Sequence, residues 1–139
     1  MTYSDEYILD ILRSVKTIAL VGASPKEIRP SFSVMAFLLA RGYRVIPVNP
    51  GHVGKEIQGQ KTYARLADIG EGIDMVDVFR ASEALPGIVE EMLALEPLPK
   101  VLWTQLDVRD DKAAARAAEA GIKVVMDRCP AIEYPRLIS

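Results

Sequence analysis

At 139 residues, with 50% hydrophobic and 26% charged, the chain has the balance of one soluble globular domain able to bury roughly 70% of its unfolded surface. A formal net charge of −2 argues against a general nucleic-acid binder, which carries a basic face. A lone cysteine, Cys129, excludes an internal disulfide, no basic segment precedes an apolar core at the N-terminus, and no apolar run nears the ~20 residues of a membrane span, so a cytoplasmic location is expected.

In chain order, Ile8, Leu9, Ile11, Leu12 and Val15 fall at helical spacing behind Ser4, a suitable N-cap, with Asp5 and Glu6 in the first turn. Thr17–Val21 reads as a strand covered on both faces. It runs into Gly22-Ala23-Ser24, a short polar loop, and a helix that begins near Ser31, spans about Ser33–Arg41 and is closed by Gly42.

Tyr43–Val48 is a second strand, stopped by the turn signal Asn49-Pro50-Gly51. Pro47 inside it has no N–H for a ladder and is read as lying near the strand's end or at an irregularity. The stretch 51–72 is irregular. Asp74–Arg80 is a third strand, and Ser82 is read as the cap of a helix through about Leu95, with Pro86 in its first turn. Lys100–Thr104 is a fourth strand, Asp110–Ala120 an alanine-rich helix ended by Gly121, and Ile122–Met126 a fifth strand. Asp127–Ser139 is expected to fold back over the sheet as a short tail.

Strands alternating with helices, without repeat or linker, predict a single α/β domain over 1–139. The expected architecture is Rossmann-like: a doubly wound, parallel, five-stranded sheet in three α/β/α layers, with the site at the strands' C-terminal ends. The expected strand order is 3-2-1-4-5, although the flavodoxin-like order fits the same pattern.

A buried strand, a Gly turn and a helix N-terminus hold phosphate groups because backbone N–H groups approach the anion and the helix dipole favours its charge. That assigns a phosphorylated ligand to Thr17–Ser31. The dinucleotide fingerprint Gly-x-Gly-x-x-Gly is incomplete, since Ala23, Ser24 and Pro25 follow Gly22. The second strand also ends at Asn49, where NAD recognition favours Asp or Glu.

Several motifs carry a resemblance at this point: Val21-Gly22-Ala23-Ser24, Arg29-Pro30-Ser31, Val45-Ile46-Pro47-Val48-Asn49-Pro50 and Glu56-Ile57-Gln58-Gly59 in the first half. Val76-Asp77-Val78-Phe79-Arg80, Trp103-Thr104-Gln105 and Val125-Met126-Asp127-Arg128-Cys129 follow in the second. In their order and spacing, from Ile8 to Leu137, the chain resembles the stand-alone CoA-binding proteins, whose fold is similar to the N-terminal CoA-binding domain of the succinyl-CoA synthetase alpha subunit. The resemblance implies non-covalent binding of CoA or acyl-CoA across the strand ends. The synthetase's phosphorylated histidine and further domains lie beyond this module, so the expectation is binding without catalysis.

On that reading the pyrophosphate takes N–H groups from Ala23, Ser24 and the helix start at Ser31, with the Ser24 hydroxyl as a further donor. Lys26 and Arg29 meet phosphate, Arg with its bidentate fork. Val48, Asn49 and Pro50 line the nucleotide, Phe79 and Arg80 bracket adenine or pantetheine, and Trp103 and Gln105 line the far side.

Simpler roles stand beside these. Gly22 serves a tight turn, Asn49 the Pro-Gly turn, Phe79 and Trp103 the core, and Lys26, Arg29 and Arg80 the solvated surface. His52, the only histidine, reads as an exposed loop residue, and no metal site is expected. Cys129 reads as an inert buried thiol, although it follows the fifth strand at the ligand edge. The alternatives are an NAD(P)-binding oxidoreductase or redox-sensing Rossmann domain, and an interaction module with a vestigial crevice.

Overall fold

The computed structural model describes residues 2–138. Helix α1 (Asp5–Ser14) is capped as expected, the Tyr7 N–H donating to Ser4 Oγ at 3.1 Å. Strand β1 (Thr17–Val21) leads to α2 (Pro30–Ala40), which begins earlier than its apolar spacing suggested because Pro30 at its first position already has helical φ. Strand β2 (Arg44–Val48), a small hairpin β3 (Glu56–Ile57) and β4 (Gln60–Lys61), and β5 (Met75–Val78) follow. The second half contains α3 (Leu85–Leu93), β6 (Val101–Thr104), α4 (Asp111–Glu119), β7 (Lys123–Val125) and α5 (Pro130–Leu137).

The five main strands form one parallel sheet in the order β2-β1-β5-β6-β7, with β3 and β4 paired apart from it. The fold class is therefore the Rossmann-like α/β one expected, and the strand order is corrected from 3-2-1-4-5 to the flavodoxin-like 2-1-3-4-5. Pro47 supplies the physical reason. Its carbonyl accepts from Tyr63 N–H at 3.0 Å on the outer side of β2, so the missing proline donor also faces away from β1. A strand with that gap is tolerated at an edge and would break a ladder between two neighbours.

Alternation along the strands separates two cores. Ile18, Leu20, Met75, Val101, Trp103 and Val125 face α1, α2 and α5. Ala19, Val21, Ile46, Val76, Val78 and Leu102 face α3 and α4. Each central strand is thus buried on both sides, which accounts for its apolar run.

Two local expectations fail. Ser82 does not cap α3: it opens a 3-10 turn, Ser82–Ala84, and its hydroxyl accepts from Arg109 N–H at 3.0 Å, bracing the loop after β6. The C-terminal tail is a helix, α5, in which Pro130 occupies the first position and Tyr134 packs edge-on against Phe37 and Tyr43. Burial of that aromatic face outweighs the donor lost at Pro135. No helix among the described residues is long and apolar enough to cross a membrane.

Candidate functional site

The chain runs outward from β1 to β2 and then returns to the other side of β1 at β5. That reversal opens a crevice at the C-terminal ends of β1 and β5, the usual ligand position in doubly wound sheets. A cleft of about 400 Å³ lies there. Gly22, Ser24, Lys26, Arg29 and Ser31 line it from the β1–α2 connection, and Asn49, Phe79 and Gln105 from three other strand ends.

Gly22 has φ +91°, and a Cβ there would sit 2.8 Å from the Phe79 carbonyl oxygen and 3.2 Å from the Arg80 δ-carbon. The glycine is required by the close approach of the two strand ends. Its own N–H donates to Val48 O at 2.9 Å, and the Ala23 N–H approaches the same oxygen at 3.4 Å. Ala23 and Val48 are buried and shape the turn; their placement corrects the expectation that Ala23 N–H faces a phosphate. Asn49 is likewise engaged, its Nδ2 donating to Ala23 O at 2.8 Å and its Oδ1 accepting from Gly51 N–H at 2.9 Å.

The lining groups with the chemistry to meet an anion are therefore those of Ser24, Lys26, Arg29 and the start of α2. Lys26 N–H donates to Ser24 Oγ at 3.1 Å, an arrangement that leaves the hydroxyl proton for another acceptor. Helix α2 has no side-chain cap and no acidic residue in its first turn, whereas α1 and α4 have both. Pro30 brings no N–H and the Phe32 N–H donates to Arg29 O at 3.0 Å, so it is the backbone at Ser31, 4% exposed, and the positive dipole end that meet the cleft. Neither Lys26 nor Arg29 has a carboxylate partner among the described residues.

The opposite wall is apolar. Phe79, Leu106 and Val108 line it with Gln105, whose buried Oε1 has no hydrogen-bond partner. A compact network fixes this wall: Asp127 N–H donates to Thr104 Oγ1 at 3.1 Å, Thr104 Oγ1 donates to Val108 O, and Asp107 N–H donates to Asp127 Oδ1 at 2.7 Å. Asp107 and Asp127 hold φ values of +68° and +61°, positions at which a short polar side chain is tolerated.

The remaining expected residues lie elsewhere. Trp103 is 0% exposed, its Nε1–H donating to Arg128 O at 2.9 Å, so its role as a ligand wall is corrected to core. Pro50 and Arg80 are exposed and stand beside the cleft's lining without joining it. His52, expected in open solvent, is partly buried and lines the cleft, as do Pro30, Leu106 and Val108. A strand-end rule extended a few residues past each turn would have found them. Cys129 is buried in the core beneath α5. Among the described residues no group of three or more His, Cys, Asp or Glu is arranged to hold a metal ion.

A second hollow, at the strands' N-terminal ends, is lined by Arg13, Lys16, Arg41 and Arg44. Helices α1, α2 and α5 all end there; Arg13 in the last turn of α1 offsets its carbonyl end, while Arg44 is paired with Glu71 at 2.6 Å.

A family model described as the CoA binding domain matches residues 16–135. An uncharacterized Bacillus subtilis (strain 168) protein, YneT, is 39% identical over 122 residues, covering 88% of this chain and 87% of that one. The structure of cell-free ID.343 from Thermus thermophilus superposes with a TM-score of 0.92 at 40% identity, covering 98% of this chain and 100% of the other. The ADP-forming acetate–CoA ligase of Methanocaldococcus jannaschii is 28% identical over 86 residues, a match that takes in 62% of this chain and 12% of the ligase.

Proposed function

The chain belongs to the CoA-binding domain family, and on that premise we propose that it binds CoA or an acyl-CoA non-covalently in the cleft at the β1/β5 reversal. The observation that carries this reading is the uncapped N-terminus of α2 beside unpaired Lys26 and Arg29, opposite an apolar wall. Coenzyme A has the matching halves: a phosphorylated nucleotide and a pantetheine arm in which methylenes and a gem-dimethyl group alternate with two amides.

The residues suit the ligand. Ser24, Lys26, Arg29 and the α2 start would hold the phosphates, and Phe79 and Gln105 would face the arm. The unpartnered Gln105 amide oxygen suits an amide N–H of such an arm. Among the described residues the cleft's lining contains no carboxylate and no thiol, and His52 and Lys26 are its side chains suited to proton transfer. Binding without a bond-making step is the function this set supports. Acyl-group activation in the larger ligases belongs to proteins of which this module spans a small part.

Calorimetric titration with CoA, dephospho-CoA, NAD and NADP tests the proposal. CoA should bind in a 1:1 ratio, with NAD and NADP at least about tenfold weaker. Clear NAD or NADP binding without CoA binding would reject it.

A further inference from the structure

The cleft is divided by polarity along the sheet. Ser24, Lys26, Arg29, Asn49 and His52 occupy the β1–β2 end, and Phe79, Leu106 and Val108 the β5–β6 end. Leu106 is the outermost of the apolar group and is 45% exposed. Its exposure is built in. The loop that carries it is tied at Asp107 to Asp127, at Val108 to Thr104, and at Arg109 to Ser82. An apolar surface held open by these bonds accepts an apolar group at a reduced ordering penalty.

We propose that the Leu106–Val108 end of the cleft takes the hydrocarbon of an acyl-CoA thioester, so that the protein prefers medium-chain acyl-CoA to free CoA. This rests on the CoA reading above. A phosphorylated nucleotide held at the β1–β2 end directs the thiol arm toward β6, and an acyl group on that thiol extends along Leu106. Each fully buried methylene is worth about a fourfold gain in affinity, and a half-open wall returns part of that. Six methylenes, the difference between acetyl and octanoyl, are ample for a measurable preference.

Dissociation constants for CoA, acetyl-CoA and octanoyl-CoA, measured by calorimetry on the wild type, L106S and I28S, decide it. Ile28 is 88% exposed beside the cationic end and controls for general stickiness of the exposed apolar side chains. The expected result is octanoyl-CoA at least about tenfold tighter than CoA, with acetyl-CoA between them. L106S should reduce that ratio below about threefold, and I28S should leave it in place. A flat series in the wild type, a ratio that survives L106S, or one that collapses equally in I28S would overturn the acyl assignment while CoA binding stands. Failure of all three ligands to bind would overturn the CoA reading itself, and this inference with it.

Discussion

The Asn49 side chain ties together the two turns that frame the cleft, donating from Nδ2 to the Ala23 carbonyl at 2.8 Å while Oδ1 accepts from Gly51 N–H. One residue thereby sets the spacing between the ends of β1 and β2. Asn49→Ala removes both bonds and should destabilise the fold by about 1–2 kcal/mol in urea denaturation, with weaker CoA binding. Asn49→Asp keeps the acceptor for Gly51 but sets a carboxylate against the Ala23 carbonyl, so it should be no more stable than the alanine variant. Wild-type stability in Asn49→Asp would refute the brace.

Gly22 and Phe79 make a second constraint, this one steric. Gly22→Ala places a Cβ 2.8 Å from the Phe79 carbonyl oxygen at a φ of +91°, and the two nearest contacts are both backbone atoms of Phe79. A loss of about 2 kcal/mol or more is expected, read as a lowered urea midpoint. Ligand affinity should fall with it, because β1 and β5 must separate at the crevice.

Arg29 is the N-cap of α2 and lines the cleft without a carboxylate partner among the described residues. If CoA binds as proposed, the position of Arg29 at the helix start would put it at the pyrophosphate. Arg29→Gln should therefore weaken CoA and dephospho-CoA alike, by about tenfold or more at low salt. A loss confined to CoA, measured in paired titrations, would move Arg29 to the 3′-phosphate instead.

Asp77 lies in the middle of β5, level with Leu20 on one side and Trp103 on the other, and both its carboxylate oxygens are buried without a hydrogen-bond partner among the described residues. Burial pushes its pKa well above the usual carboxylate range. Folding therefore favours the protonated form. Its contribution is full below the unfolded pKa of about 4 and is lost as pH rises through the raised folded value. Asp77→Asn, neutral at every pH, should match the wild type near pH 4 and exceed it by about 1–3 kcal/mol near pH 8. Parallel pH–stability curves for the two proteins would contradict this.

Much of the architecture was legible because its signals are local. An apolar five-residue run needs cover on both faces, and Ser4 and Asp110 mark helix starts by bonding N–H groups three residues on. Strand order is a different kind of property, since it depends on which side of β1 the chain returns to after a long irregular connection. Pro47 did carry that information: a missing ladder donor belongs at an edge, and 3-2-1-4-5 would have put it inside the sheet. The site divided in the same way. Residues whose side chains act alone, such as Lys26 and Arg29, were identifiable from the loop that bears them. Ala23 and Trp103 were not, because each has its hydrogen-bonding groups or its surface taken up by a neighbour distant in sequence.

By itself, the sequence determined the α/β class, the parallel sheet, the position of the glycine turn and helix start after β1 and the resemblance to CoA-binding proteins, all of which follow from short-range spacing and local backbone chemistry. Only the tertiary structure decided the strand order, the polar and apolar halves of the cleft, the core position of Trp103 and the partnerless burial of Asp77. Those follow from which strand ends meet and which atoms lose water when they do.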